Sequence, residues 1–338
     1  DIDMSTNARP EIVMQLAKDA GLKAIPTGVD HGTVTVVSSG TPFEITTFRR
    51  DVENDGRRAV VAFSNDILDD SRRRDFTMNA LYARPNGVIV DPLGGLQDAL
   101  ARRIRFIEDA DLRIREDYLR TLRFFRFSAW YSASDQGFDP DALSAISANL
   151  DGLKSLSAER VGMEMIKLLL APDPAPAVAV MRQTGVLNAL LQGANDTWLA
   201  PLVHVETLLG LVPSPMRRLA ALGGMDVEKT LRLSKPQSRQ LTQYCDGIGS
   251  MAGMAEVGYR SGADIAKGIY ALRCAFSGAP PLTEVVDKID AGDRAVFPIK
   301  AVQLQDEFVG PALGQRLKEL EVEWIASDFS KTKTQLLG

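Results

Sequence analysis

Pro42-Phe43-Glu44-Ile45-Thr46-Thr47-Phe48-Arg49 reads as a β-strand, because β-branched and aromatic residues dominate it and a turn precedes it. Just upstream, residues 32–38 alternate, with Val34 and Val36 on one face, and Ser39-Gly40-Thr41 turns the chain between the two strands. Residues 59–63, centred on Val60 and Val61, suit another strand, and residues 87–90 a short one ending at Asp91-Pro92. The spacing of Ile12, Val13, Leu16 and Ala17 predicts a helix over 9–20, capped at Thr6 or Asn7 and ended by Gly21. A second helix is predicted over 74–83. Beyond Phe106 the strand signal stops. Helices are expected over 117–131, 140–150, 158–170, 175–185, 202–211, 215–222, 235–251, 262–275 and 314–328, with Pro/Gly punctuation between them. The pattern is a small α/β head followed by an elongated all-α region.

At 338 residues the chain has room for two or three domains of about 150 residues each. It is 45% apolar and 25% charged, which places it with folded globular chains rather than disordered ones. No membrane is expected to be crossed: the apolar stretch 161–171 is short and broken by Glu164 and Lys167. The chain opens on Asp1 without a signal peptide, so it is expected to be an interior piece of a longer protein. Cys245 and Cys274 lack metal-ligand spacing and suit buried thiols in a reducing, cytoplasmic setting. With only His31 and His204 present, a catalytic metal must be held by carboxylates, which favours Mg²⁺. The net charge of −5 excludes a broadly basic surface but not a local one. Residues 1–130 carry many arginines and only two lysines, Lys18 and Lys23, and arginine's planar fork matches phosphates and base edges.

Three clusters carry the chemistry. Asp1 and Asp3 in Asp1-Ile2-Asp3 share one face of a strand, and Glu44 joins them if its strand is a neighbour. Two metals roughly 4 Å apart at such a site activate an attacking 3′-hydroxyl and neutralise a departing pyrophosphate. Taken alone, a D-x-D pattern is ordinary surface charge. Arg72-Arg73-Arg74-Asp75-Phe76-Thr77-Met78-Asn79-Ala80 puts three cations at a predicted helix start, against the helix dipole; a bound polyphosphate relieves that cost. Asp75 suits a ribose hydroxyl, and Asn79 lies one turn further on. The alternative is a solvated basic run with Asp75 as a cap. In Glu116-Asp117-Tyr118-Leu119-Arg120-Thr121-Leu122-Arg123-Phe124-Phe125-Arg126, Asp117, Arg120, Arg123 and Arg126 fall near one helical stripe. Asp117 and Arg120 either form a helical salt bridge or read a base edge; three arginines on one stripe favour an anionic or base partner.

With Phe43-Glu44-Ile45, Thr47-Phe48-Arg49, Asp91-Pro92-Leu93-Gly94-Gly95 and Ser157-Ala158-Glu159-Arg160-Val161, these motifs stand in one register over residues 1–170. The combination resembles the class II tRNA nucleotidyltransferases (CCA-adding enzymes) and their poly(A) polymerase relatives. The resemblance implies an α+β fold: a polymerase-β-like palm of mixed sheet and helices, then an elongated all-α neck, body and tail. It implies a head at 1–98, a neck with the nucleotide-selecting helix at 99–170, and an RNA-binding body and tail at 171–338. Asp1 and Asp3 become the metal ligands and Glu44 the third catalytic carboxylate, with Mg²⁺ as cofactor. Arg74 contacts the nucleotide and Asp75 its ribose beside Asn79. Asp117 and Arg120 select CTP and then ATP, with Arg123 and Arg126 at or near the triphosphate. Residues 51–61 resemble the loop that supports the switch from C to A addition. The family's glycine-rich turn, which precedes the paired aspartates, is not in this sequence, so the head is expected to be N-terminally incomplete. The implied activity is CCA addition to tRNA with pyrophosphate release. The alternatives are poly(A) or A-only addition and, in another class, a non-catalytic RNA-binding fragment. His31 and Trp130, Tyr131, Trp198 and Trp324 are read as structural, and Gly94-Gly95 as a turn joining head to neck.

Overall fold

The computed structural model describes residues 3–54, 59–133 and 137–338, and the side chains of all of these except 51–54 and 59–61. It divides into two compact units, Asp1–Gln192 and Gly193–Gly338.

The first unit opens with β1 (Asp3–Thr6), α1 (Pro10–Asp19), β2 (Lys23–Gly28), β3 (Thr33–Ser38) and β4 (Thr41–Thr47). These four strands form one mixed sheet in the order β1-β4-β3-β2. The expected β3–β4 hairpin pairs Thr33 with Thr46 through Ser38 with Thr41, and β1 joins β4 in parallel. The amphipathic spacing of α1 buries Val13 and Ala17 against Val34 and Val36, the inward positions of β3. A second ribbon, β5 (Arg49–Asn54) and β6 (Ala59–Phe63), is antiparallel. The loop expected at 51–61 falls within it; residues 55–58 and the side chains of 51–61 lie outside the described residues.

The next segment departs from the predicted helix over 74–83. Asp66 accepts from the Leu68 amide at 2.9 Å and starts α2 (Ile67–Arg72) earlier than expected. A single 3-10 turn at Thr77–Asn79 and the ribbon of β7 (Tyr82–Ala83) with β8 (Ile89–Val90) follow. Arg72 and Arg73 therefore sit at a helix C-terminus, where the dipole favours cations, and the expected electrostatic cost does not arise. Asp91 accepts from the amides of Gly95 and Leu96 at 2.8 and 2.9 Å and so opens α3 (Gly95–Leu100). Gly95 itself is required by contact, since a Cβ there lies 2.0 Å from the Thr77 carbonyl oxygen.

Helices α4 (Ala110–Glu116), α5 (Leu119–Tyr131), α6 (Pro140–Ala148), α7 (Ala158–Leu169), α8 (Ala175–Gln183) and α9 (Val186–Leu190) complete the unit. Its core is aromatic: Phe76, Phe106 and Phe124 pack with ring centroids 5.1 to 6.3 Å apart, Phe106 stacked on Phe124 and Phe76 tilted against both, and Phe125 packs on Phe124. Helix α5 starts two residues later than predicted. Asp117 is extended (φ −155, ψ 104) and links α4 to α5 instead of belonging to the arginine stripe.

The second unit is entirely helical: α10 (Leu199–Leu208), α11 (Pro215–Leu222), α12 (Val227–Thr230), α13 (Lys235–Gly249), α14 (Met254–Ser261), α15 (Ala263–Ser277), α16 (Thr283–Arg294), α17 (Pro311–Ala326) and α18 (Lys333–Leu337). Helices α14 and α16 touch backbone to backbone, because a Cβ on Gly292 lies only 2.0 Å from the Ala255 carbonyl oxygen. Trp324 is buried with Leu320, Ile299, Leu304 and Leu336, as read. Glu206 is enclosed with Arg217 and Arg218, at 2.7 and 2.8 Å. Cys274 is buried, whereas Cys245 is exposed, and both are free thiols. Trp130, Tyr131 and Trp198 are 38–43% exposed, contrary to their expected core positions. No described helix is long and apolar enough to cross a membrane.

Candidate active site

The parallel pairing of β1 with β4 sets Asp3 directly opposite Glu44. Paired residues on neighbouring strands point to one face, so two carboxylates 41 positions apart in sequence become neighbours on the same surface. Both side chains are exposed. They border a cavity of about 410 Å³ whose remaining wall includes Ser5, Thr33, Thr46, Arg49, Arg73, Arg74, Asp75, Asn79, Arg120 and Arg123. The expected convergence of strand carboxylates and arginines is therefore found for Asp3, Glu44, Arg74, Asp75, Asn79, Arg120 and Arg123. Asp1 lies outside the described residues.

The arginines are held by carboxylates behind them. Asp70, fully enclosed, accepts from Arg73 Nε at 2.8 Å, from the Tyr82 hydroxyl at 2.7 Å and from Arg74 Nη2 at 3.3 Å. Arg74 also donates to the Tyr82 hydroxyl at 3.1 Å and lies over that ring at 5.0 Å. Burial pushes the Asp70 carboxyl up, but the Arg73 charge, the Tyr82 hydroxyl and Arg74 outweigh it and hold it below the usual range. Asp75 is similar. Its Oδ1 accepts from Asn79 Nδ2 and the Phe76 amide, and its Oδ2 from Arg123 Nε and Nη2, both at 2.6 Å. Burial opposes ionisation there too, and Arg123 and Asn79 overcome it, so the carboxyl is lowered. The Asp75–Asn79 proximity expected from a helix is thus made by a turn.

Helices α4 and α5 clamp this segment from behind. Arg113 Nη2 donates to the Arg74 carbonyl at 2.6 Å, and Arg120 Nη2 to the Arg73 carbonyl at 2.9 Å. Glu116 accepts from Arg120 at 2.5 Å and also pairs with Arg113. Two expected members lie off the cavity wall. Asp117 pairs with Arg160 of α7 at 2.6 Å rather than with Arg120. Arg126 pairs with Glu164 at 2.6 Å and covers the Phe127 ring at 4.6 Å. The stripe is therefore neutralised largely by protein carboxylates. Sequence reasoning missed Asp70, Tyr82 and Arg113; only Asp70, three residues before Arg73, left a local signal. Among the described residues no three His, Cys, Asp or Glu side chains gather as a metal cluster. His31 does not border the cavity, and its carbonyl accepts from Arg49.

A mixed sheet bearing registered carboxylates, an arginine-walled cavity and a following helical bundle define a nucleotidyltransferase-type protein. Residues 1–105 match the family described as "Poly A polymerase head domain", and residues 137–197 match "Probable RNA and SrmB- binding site of polymerase A". The CCA-adding enzyme of Geobacillus stearothermophilus is 35% identical over 305 residues, covering 83% of this chain and 71% of the relative. The mitochondrial CCA tRNA nucleotidyltransferase 1 of Danio rerio is 35% identical over 230 residues, covering 66% of this chain and 52% of the relative. The chain thus spans about half the length of some curated relatives. The solved structure of the Bacillus stearothermophilus CCA-adding enzyme in complex with CTP superposes with a TM-score of 0.69 at 27% identity, over 97% of this chain and 84% of that one. The chain belongs to the class II CCA-adding enzyme and poly(A) polymerase family.

Proposed function

We propose that this protein builds CCA on tRNA 3′ ends from CTP and ATP, releasing pyrophosphate. The observation that carries the proposal is the β1–β4 register, which sets Asp3 beside Glu44 on a cavity walled by Arg73, Arg74, Arg120 and Arg123. The names of its relatives support CCA addition over other nucleotide transfers.

The described donors, Asp3 and Glu44, fit a hard divalent cation such as Mg²⁺, because they are carboxylates on paired strands roughly 4.8 Å apart. Asp1, Asp3 and Glu44 are assigned to hold it, and when bound it supplies charge neutralisation at the attacking and departing oxygens. Arg74 and Arg123, fixed by Asp70 and Asp75, present donors to the triphosphate. Asp75 and Asn79 are assigned to the ribose. Asp117, steadied by Arg160 and the Leu119 amide, and Arg120 are assigned to base choice. Arg126 stands behind them on α5. Head, neck and RNA-binding body and tail are assigned to 1–98, 99–170 and 171–338, and free thiols suit the cytoplasm.

Incubation with tRNA lacking CCA tests the proposal. CTP alone should add two residues, and CTP with ATP should complete CCA. Incorporation of ATP but never of CTP, into any RNA, refutes CCA addition. Asp3→Ala should lower incorporation by roughly 10³-fold or more, several kcal/mol of barrier, without lowering thermal stability. Equal rates in parent and variant refute the metal assignment.

A further inference from the structure

The solvent-facing side of α5 carries arginines and aromatic rings and, apart from Ala129, nothing else. Leu119, Thr121, Leu122, Phe124, Phe125 and Ser128 are buried. Arg120, Arg123, Arg126 and Phe127 are partly exposed, and Trp130 and Tyr131 are exposed at 39% and 43%. Two large rings left half in water at the end of one helix forgo burial that a core position gives them.

They are nonetheless held in place. Trp130 Nε1 donates to the Lys167 carbonyl at 2.8 Å, which fixes one ring edge. Tyr131 meets the Phe127 ring edge-on at 5.3 Å, and Arg123 and Arg126 lie over that same ring at 5.4 and 4.6 Å. No exposed position of α5 carries a carboxylate; Asp75 and Glu164, from other elements, pair with Arg123 and Arg126, and of those two arginines Arg123 keeps the larger exposed fraction, 29%. Fixed aromatic faces interleaved with cations suit a partner that offers flat rings joined by anions, which is single-stranded nucleic acid. A duplex hides its base faces, and an apolar protein patch gains nothing from the cations. The eight residues from Arg123 to Trp130 span about 10 Å of helix, room for roughly three stacked bases at ~3.4 Å each.

We propose that Trp130 and Tyr131, backed by Phe127, form a stacking platform for the unpaired nucleotides at the 3′ end of the RNA substrate, whose phosphates pass the part-exposed Arg123 toward the cavity. The assignment rests on the nucleotide-addition proposal above, since that makes an RNA 3′ end the substrate.

Binding of an RNA hairpin with three unpaired 3′ nucleotides, compared with the same hairpin blunt-ended, tests it. Trp130→Ala should weaken binding of the overhang RNA about 10-fold and leave the blunt RNA unaffected, which also serves as the control for folding. Trp130→Phe should keep most of that affinity while losing the fluorescence quench that the overhang causes in the parent protein. During nucleotide addition, Trp130→Ala should raise KM for RNA and leave KM for CTP unchanged. Equal overhang binding by the parent, Trp130→Ala and Tyr131→Ala overturns the platform. So does a loss equal for both RNAs, which marks the rings as structural or as a surface for another partner. If no nucleotide is added by any variant but the overhang-specific loss remains, the platform stands and the catalytic proposal falls.

Discussion

Asp75 in the first unit and Glu206 in the second are both enclosed carboxylates paired with arginine, at 4% and 2% exposure. Their arginines differ. Around Glu206, the Arg217 and Arg218 side chains retain 4% and 1% exposure, and Arg217 directs a further donor to the Val212 carbonyl at 2.7 Å. Around Asp75, Arg123 retains 29%, and around Asp70, Arg73 and Arg74 retain 20% and 28%. A guanidinium has five N–H donors in a fixed fork. At Glu206 the fork is enclosed, so the pairing serves the packing of α10 on α11. At Asp70 and Asp75 a carboxylate steadies one side of the fork while the other faces a cavity. The same ion pair therefore acts as scaffold in one unit and as a ligand mount in the other.

The comparison can be broken first at Glu206. Glu206→Ala leaves two arginines enclosed without their carboxylate, and denaturant unfolding should show a loss of about 3–5 kcal/mol. A loss below about 1 kcal/mol would mean that water reaches the site and that the two networks are alike. Asp75→Asn should cost less, about 1–3 kcal/mol, because Arg123 is already part-solvated. Its pH dependence sharpens the contrast. The folded carboxyl of Asp75 lies below its unfolded value of roughly 4, so its stabilisation is complete above that value. It is lost as pH falls through the lower folded value. The stability gap between parent and Asp75→Asn should thus stay constant above about pH 5 and close in acid. A gap that widens in acid reverses the sign and rejects the assignment. The smallest effect is expected at Arg72, whose bridge to Glu108 at 3.2 Å is more than half exposed on both sides. Arg72→Ala should shift stability by no more than about 0.5 kcal/mol, and less at high salt.

Much of this was legible in the sequence. Alternation around Val34 and Val36 reveals β3, and the β4 stretch around Glu44 pairs as expected, because a half-buried sheet imposes a period of two on its own residues. The arginine run was misread for a local reason: Asp66 caps the helix, so the cations close it rather than open it. The partners of the arginine stripe were out of reach of spacing arguments. Arg123 meets a carboxylate 48 residues away and Arg126 one 38 residues away. Asp117 shows the converse, since a helical spacing to Arg120 does not place it in the helix. Trp130 and Tyr131 look like core by composition, and only the packing of α5 shows which of its faces is left to water.

The parallel β1–β4 pair has a consequence for how the active site comes into being. Parallel strands cannot be joined by a tight hairpin, and here the crossover contains α1, β2 and β3. Asp3 and Glu44 therefore meet only after a loop of about 40 residues has closed, and the entropy of that closure is offset by the sheet and helix formed on the way. No short peptide cut from this chain can carry the pair. The carboxylate site is a product of folding, and it arrives with the sheet rather than before it.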